Sequence, residues 1–295
     1  MGAGGERGLS LIEVILVLLL SGVVGSSVIA IVTTSLLSVR RQAARGQIQA
    51  TLRTAVTVLA SEFRELGSGS GAGDLIEIGP DAITYRAKRS TAFLCSKPDS
   101  RVPEITAWSD PIYGLRPLEA GRDSVLVFAE NDPRTVEDNE WHRAMAVAVI
   151  VGEFCPGPSQ GIRIRLGGIA GRSLAGVERG APVRGFQATR VLIYQDARRT
   201  WWLGLREYRP GSGWSITQPV LGPLSRNGLR FQYSDAAGRP VDDSELVAAI
   251  RVTVVAQSSR GVAHVAGPGG VMVDSLSTHV ALRNRSPVRA EPVLR

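Results

Sequence analysis

Residues 9–39 read LSLIEVILVLLLSGVVGSSVIAIVTTSLLSV, and this stretch decides the architecture of the chain. From Val14 to Val39 the run of 26 residues contains no charge. A helix of that length rises roughly 39 Å, more than the roughly 30 Å hydrocarbon thickness of a bilayer. The stretch therefore predicts a membrane-spanning helix.

A secretory signal peptide is the alternative interpretation of this stretch. Its apolar region usually has about 7 to 15 residues, and Val28 and Ala30 could form its small-residue cleavage site. The run observed here is longer, and it follows directly on an acidic residue, Glu13. Acidic residues at the edge of a spanning helix usually mark a function, so both features favour a membrane helix with a purpose beyond export.

The residues around Glu13 carry a resemblance to a known family. Together with the apolar run, they resemble the class III signal of type IV pilins and type II secretion pseudopilins through Arg7-Gly8-Leu9-Ser10-Leu11-Ile12-Glu13-Val14. The resemblance implies that a prepilin peptidase cuts between Gly8 and Leu9 and that Leu9 becomes the N-methylated terminus. It also implies that Glu13, then the fifth residue, is the assembly glutamate. The family usually has Phe or Met where this chain has Leu9.

Elementary electrostatics gives Glu13 a role consistent with that resemblance. Cleavage would create an α-amine with an ordinary pKa of about 7.7 to 8.0, which is mostly cationic at neutral pH. Two opposite charges left unpaired in a low-dielectric helix bundle are both costly. Pairing of this amine with Glu13 of a neighbouring subunit would therefore favour one axial register in a growing filament.

The helix is expected to continue beyond the membrane to Leu66. Apolar residues recur there at steps of three and four, as on one face of an amphipathic helix: Ile48, Leu52, Val56, Leu59, Phe63 and Leu66. Such a face predicts that residues 40–66 seat a soluble domain. Gly22 and Gly25 lie within the span, where they either permit close helix packing or are ordinary membrane glycines.

Residues 67–284 are expected to form an exported β-rich domain. Every aromatic residue falls at or after Phe63, and Gly67 to Gly73 (GSGSGAG) predicts a flexible junction. The fold class predicted is α+β, a long helix packed on an antiparallel sheet. Strands are predicted at 75–78, 83–87, 124–129, 144–151, 161–166, 189–195, 201–208, 229–233, 246–256 and 279–283.

The end of the chain extends the resemblance. Segments 54–67, 222–235, 246–256 and 278–284 are similar to the larger minor pilins and pseudopilins, called W in type IV pili and J in type II secretion. Residues 95–190 contribute nothing to it. The basic tail, 285–295, is expected to be disordered.

Two cysteines, Cys95 and Cys155, predict a disulfide in an exported domain, with two buried free thiols as the alternative. No metal site is expected, because the histidines His142, His264 and His279 lie at no ligand spacing. Acidic turns at 130–132 and 242–243 do not match a calcium loop. No catalytic motif is found, so the chain is not expected to be an enzyme or to hold a cofactor.

Charge first suggests a nucleic-acid partner, since 34 Lys and Arg against 27 Asp and Glu give a net charge of +7. These charges are dispersed and form no basic run, so no nucleic-acid partner is predicted. The basic residues Arg40, Arg41 and Arg45 would by the positive-inside rule lie in the cytoplasm, whereas the resemblance places them outside.

Together these features predict a minor pilin or pseudopilin. Residues 1–8 would be its leader, 9–39 the membrane and assembly half of its helix, and 40–66 the exported half. Its expected partners are the prepilin peptidase, the inner membrane and other pilins, with the β domain in the periplasm before assembly into the tip of a filament. The alternative is a signal-anchored exported enzyme or binding protein with a β domain.

Overall fold

The computed structural model describes residues 11–68, 73–110, 113–131, 134–135, 139–157, 160–258 and 270–285. They belong to two compact units. One comprises residues 1–50 and 258–273, and the other comprises residues 51–257 and 274–295.

A single helix, α1, runs from Leu11 to Arg64 over 54 residues. It is long and apolar enough to span a membrane, which is compatible with a single-pass anchor. The helix ends earlier than the predicted Leu66, because Gly67 and Ser68 form a short strand instead of the expected flexible junction. That strand pairs in parallel with Asn284 and Arg285, so backbone hydrogen bonds join the beginning of the β domain's sequence to its end.

The last turns of α1 pack on the β-sheet within the second unit. Leu52, Leu59 and Phe63 are buried, and the ring of Phe63 meets the rings of Tyr85 and Phe231 edge-on at 5.4 and 5.9 Å between centroids. The predicted apolar face is thereby confirmed at these positions. Val56 is only half-buried, and Ala55 is buried in its place.

Fifteen strands follow in the described part of the chain. Their bounds are β1 Gly67–Ser68, β2 Leu75–Ile78, β3 Ala82–Phe93, β4 Glu104–Trp108, β5 Tyr113–Gly114, β6 Ser124–Ala129, β7 Glu140–Gly152, β8 Gly161–Gly167, β9 Pro182–Gln195, β10 Trp201–Arg209, β11 Gly213–Trp214, β12 Gln218–Ser234, β13 Ala249–Gln257, β14 Val273–Ala281 and β15 Asn284–Arg285. A short 3₁₀ turn, Gly171–Leu174, precedes β9.

Thirteen of these strands form one sheet. Nine of them follow in the order β14-β13-β12-β10-β9-β6-β7-β8-β4, and β2, β3, β5 and β11 lie off this path, with β11 paired to β10. Strand β3 pairs along nearly the whole of β9, and β2 and β5 add to the other side of β3. The pairings around the centre of the sheet are antiparallel. The α+β class is confirmed, and the strands predicted at 75–78 and 83–87 form an antiparallel hairpin, β2 and β3, around Gly79-Pro80-Asp81.

Strand β9 is the centre of the sheet because it has three partners. Its first half pairs with β6, its second half pairs with β10, and β3 covers its opposite edge. Sequence patterning predicted only residues 189–195 of this strand. The segment before them, Pro182 to Ala188, was not predicted, because Gly185 and buried residues on both faces of the strand interrupt the alternation of apolar and polar residues.

The second half of the sheet closes over its own apolar core. Buried side chains from β4, β6, β7, β8 and the 3₁₀ turn meet there, and the larger of them are Leu94, Ile105, Val125, Val127, Ile162, Ile164, Leu166, Leu174 and Val177. Apart from Ala92 and Leu94, this core lies within residues 95–190, the part of the chain for which the sequence resemblance offered no guide.

Replacing Phe63 by alanine should destabilise the second unit strongly. Loss of a fully buried phenylalanine ring costs about 3 to 5 kcal/mol of unfolding free energy, since a cavity is left between α1 and the sheet. Urea unfolding of the full chain in maltoside micelles, followed by tryptophan fluorescence, measures this change. Val58→Ala, at a side chain that is 40% exposed on the same helix, should change it by less than about 0.5 kcal/mol. Equal effects of the two variants would contradict the packing described.

Candidate functional site

The first turn of α1 contains Glu13, the residue for which the sequence predicts an assembly role. Glu13 lies in the first turn, where a negative charge interacts favourably with the helix dipole, and its side chain is exposed. Gly8 and Leu9, the predicted cleavage and methylation positions, lie outside the described residues. The structure therefore places the carboxylate but not the peptide bond that the peptidase would cut.

The apolar part of α1 is exposed on every side. Leu18, Ile29 and Ile31 are 66 to 67% exposed, and residues on all other faces of the helix are similarly uncovered. Burial of one such side chain contributes about 1.5 to 3 kcal/mol, so exposing this whole surface to water would be very unfavourable. This part of the helix requires an apolar environment that the described residues of the chain do not provide.

Polar side chains within this part of α1 do not interrupt its apolar surface. The hydroxyls of Ser27, Thr33 and Thr34 donate to backbone carbonyls one turn earlier in the same helix, at 2.7 to 2.9 Å. Their hydrogen-bonding needs are met without water, as in helices that lie in lipid. A Cβ atom added at Gly22 or Gly25 would have no described heavy atom within 4 Å, so both glycines have room for a close neighbouring helix.

The two predicted disulfide cysteines lie at the far edge of the sheet. A disulfide joins Cys95, just after β3, to Cys155, between β7 and β8, with Cα atoms 5.5 Å apart and a sequence separation of 60. Both residues are buried. A Cβ atom on Gly161 would lie 2.6 Å from the sulfur of Cys155, so only glycine fits beside it on β8. The bond fixes the ends of the segment that forms the second core.

A buried ionic cluster stabilises the middle of the same segment. Asp123 is fully buried, and its two carboxylate oxygens accept hydrogen bonds from both terminal nitrogens of Arg116 at 2.6 Å. The backbone N–H of Glu119 also donates to Asp123, at 2.8 Å. Hydrogen bonding to Asp123 raises the pKa of the Arg116 guanidinium. With its oxygens occupied in this way, the carboxylate holds the loop before β6 in place and has no geometry for proton transfer.

A second acidic group extends this cluster to β10. Glu207 accepts hydrogen bonds from Arg122 at 3.1 Å and from the side-chain amide of Gln187 at 3.3 Å. The sequence did not reveal this cluster, because its members come from three separate elements and share no spacing. Only the fold brings them together.

The remaining sequence-predicted positions form no catalytic or metal centre in the described part of the chain. Within that part, no group of three or more His, Cys, Asp or Glu side chains could hold a metal ion. His264 and Asp132 lie outside the described residues. Trp202 donates its indole N–H to Asp196 at 2.9 Å, and both it and Trp201 are half-buried.

Comparison with known proteins adds no relative to this description. No protein-family model matches the chain, and no curated protein and no solved structure matches it either. Functional inference therefore rests on the chain's own residues and geometry.

Removing the disulfide should lower the unfolding free energy by about 4 kcal/mol, the chain-entropy value for a closed loop of this length. The variant to test replaces both Cys95 and Cys155 by alanine, and urea unfolding in micelles provides the measurement. A phosphine reductant should lower the stability of the wild-type chain by a similar amount and leave the double variant unchanged. A wild-type chain insensitive to the reductant under unfolding conditions would contradict a structural role for the bond.

Proposed function

We propose that the chain is a minor pilin or pseudopilin, a structural subunit that assembles through α1 into the tip or priming complex of a type IV pilus or a type II secretion pseudopilus. In this proposal a prepilin peptidase cuts between Gly8 and Leu9, and Leu9 is then N-methylated. The β domain is carried outside the inner membrane and does not act as an enzyme.

One observation carries the proposal: a single unbroken helix with two kinds of surface. Its first part exposes apolar side chains on all sides, and its last turns are buried by the sheet within the second unit. An anchor for an exported enzyme needs only the first part, and it needs no rigid continuation. A subunit whose domain is carried by a helical bundle needs the unbroken helix, because the helix must hold the domain at a fixed height along the filament.

Glu13 gives the proposal its chemical content. It is the only acidic residue between Leu11 and Arg40, and it is exposed at the start of an apolar helix. A carboxylate in such a position is costly unless it meets a cation. The amine of a processed neighbour supplies that cation in the proposed assembly, and it would fix the stagger between adjacent helices.

Mass spectrometry of the mature amino terminus tests the processing step. The expected result is a chain that begins at Leu9 and carries one methyl group on its α-amine. A matched control, Gly8→Leu, should leave Met1 or its processed form as the terminus, because the peptidase of this family requires the glycine that the resemblance assigns to position 8. A wild-type chain with an intact leader, or one cut near Ala30, would overturn the proposal.

Substitution of Glu13 tests assembly separately from processing. Glu13→Ala should be cut and inserted in the membrane normally, yet be depleted about tenfold or more from the filament fraction, since each unpaired buried charge costs several kcal/mol. Glu153→Gln removes an exposed carboxylate from the β domain and should be incorporated like the wild type. Immunoblots of sheared filaments and of membranes give both quantities. Normal incorporation of Glu13→Ala would remove Glu13 from the assembly mechanism.

A further inference from the structure

One face of the sheet, called here the outer face, carries basic side chains from strands β3, β9 and β7 around Leu126 and Phe186. Lys88 on β3 is opposite Phe186 on β9, and Leu126 on β6 is opposite Arg184 on β9 and Arg143 on β7. Residues directly opposite each other across a sheet share one face. The cations therefore surround an apolar floor formed by Leu126 and Phe186, both of which are buried.

A cavity of about 150 Å³ opens between these side chains. Its basic walls are Arg86, Lys88 and Arg184, and Asp74 and Glu65 lie on its other side. Cavities of about 150 Å³ hold a benzene ring in other proteins, so this one has room for a small oxyanion.

The basic side chains that line the cavity interact with the charge of Asp74, but they form no salt bridge in the described part of the chain. Within that part, neither Lys88 nor Arg143 makes an ion pair, and the guanidinium of Arg184 stacks on the ring of Trp141 at 4.4 Å from its centroid. Stacking leaves the edge of a guanidinium, with its N–H groups, available for a ligand.

Arg86 is the most enclosed of these cations. It donates from Nη1 to the carbonyl oxygen of Gly73, and its buried Nε has no hydrogen-bond partner within the described chain. Burial and the repulsive charge of Arg143 lower the pKa of Arg86, and the attractive charge of Asp74 raises it. A buried donor without a partner is costly, and an anion in the cavity would relieve both the repulsion and that cost.

The two carboxylates on the cavity wall do not balance this charge. Glu65 is already paired with Arg283 at 3.1 Å. Asp74 accepts a hydrogen bond from the backbone N–H of Gly67 at 2.7 Å, and burial raises its pKa. Three cations, Arg86, Lys88 and Arg184, thus line the cavity with one carboxylate, Asp74, that has no ion pair in the described part of the chain, and a positive excess remains.

We propose that this cavity binds a terminal phosphate group, either as inorganic phosphate or as a phosphate monoester. A terminal phosphate carries about −1.5 to −2 charges at pH 7, which suits the excess positive charge better than a single carboxylate does. Arginine side chains bind phosphate oxygens through paired N–H groups, and lysine binds them as a point charge. A phosphodiester has one negative charge and two substituents, so it suits the charge and the small volume of the cavity less well.

Isothermal titration calorimetry of the full chain in maltoside micelles and phosphate-free buffer tests the proposal. The probes are inorganic phosphate, glycerol 3-phosphate as a monoester, and dimethyl phosphate as a diester. The first two should bind with a stoichiometry of one, and the diester should bind at least about tenfold more weakly, as expected for the loss of a charge-assisted hydrogen bond. Tighter binding of glycerol 3-phosphate than of phosphate would assign the site to a headgroup-like monoester, and the reverse order would assign it to free phosphate.

Variants at the cavity separate a built site from general basicity. Lys88→Ala and Arg184→Ala should each weaken phosphate binding about tenfold or more. Lys88 is exposed, so its replacement leaves the fold intact, and Lys88→Arg should restore most of the affinity. Arg198→Ala removes an exposed arginine from the turn between β9 and β10 and should leave affinity unchanged. Asp74→Asn removes the opposing carboxylate charge and should strengthen binding severalfold.

Three results would overturn the proposal. They are the absence of heat for both phosphate probes, equal affinity for the diester, and an Arg198→Ala variant that loses as much affinity as Lys88→Ala. Circular dichroism of every variant confirms that the fold is unchanged before each titration is interpreted.

Discussion

The structure depends on how the apolar surface of one long helix is covered. Along α1 the surface changes from apolar on all sides to apolar on one face, so different surroundings must bury the two parts of the helix. The β-sheet buries the last turns through Phe63 and its neighbours. The first part requires lipid or other helices, because its many exposed Leu, Ile and Val side chains would be strongly unfavourable in water. A subunit that first resides in a membrane and then enters a helical bundle meets this requirement at both stages.

The β domain has its own means of keeping a fixed shape. Strand β9 joins the part of the sheet that carries α1 to the part that has a separate core. In that second part the Cys95–Cys155 disulfide closes one edge, and the Arg116–Asp123 pair anchors the loop before β6. Neither the disulfide nor this ion pair involves the cations that line the cavity on the outer face of the sheet. The basic cavity around Arg184 lies on that face, and its proposed ligand is independent of the role of α1.

Sequence reasoning was most successful where one period dominates. Uniform apolarity revealed the first part of α1, steps of three and four revealed the buried face of its last turns, and alternation located most central strands. It missed β4, Glu104–Trp108, because this short strand is buried only through Ile105 and Ala107 and follows directly on a proline. It also placed a flexible junction at Gly67, where pairing with Asn284 forms a strand. That pairing joins positions more than 200 residues apart, and no local pattern encodes it.

The candidate sites show the same division. Glu13 was identified from its position in a local motif, and the cysteine pair from its even count in a domain expected to be exported. The cavity lined by Arg86, Lys88 and Arg184 could not be found in this way, because Arg184 on β9 is about 100 residues from the two cations on β3 and the three appear in the sequence as dispersed charge. What concentrates them is the register of β3, β6, β7 and β9.

The central claim is that the β-sheet buries the last turns of α1, whereas lipid or other helices, outside the chain, bury its first part. Alkaline extraction of membranes that contain either the full chain or a chain of residues 40–295 tests it most directly. The full chain should remain in the membrane pellet, and the shortened chain should be soluble and retain the near-ultraviolet circular dichroism of its aromatic core. A full chain that is extracted into the soluble fraction, or a shortened chain that stays with the membrane, would contradict the account.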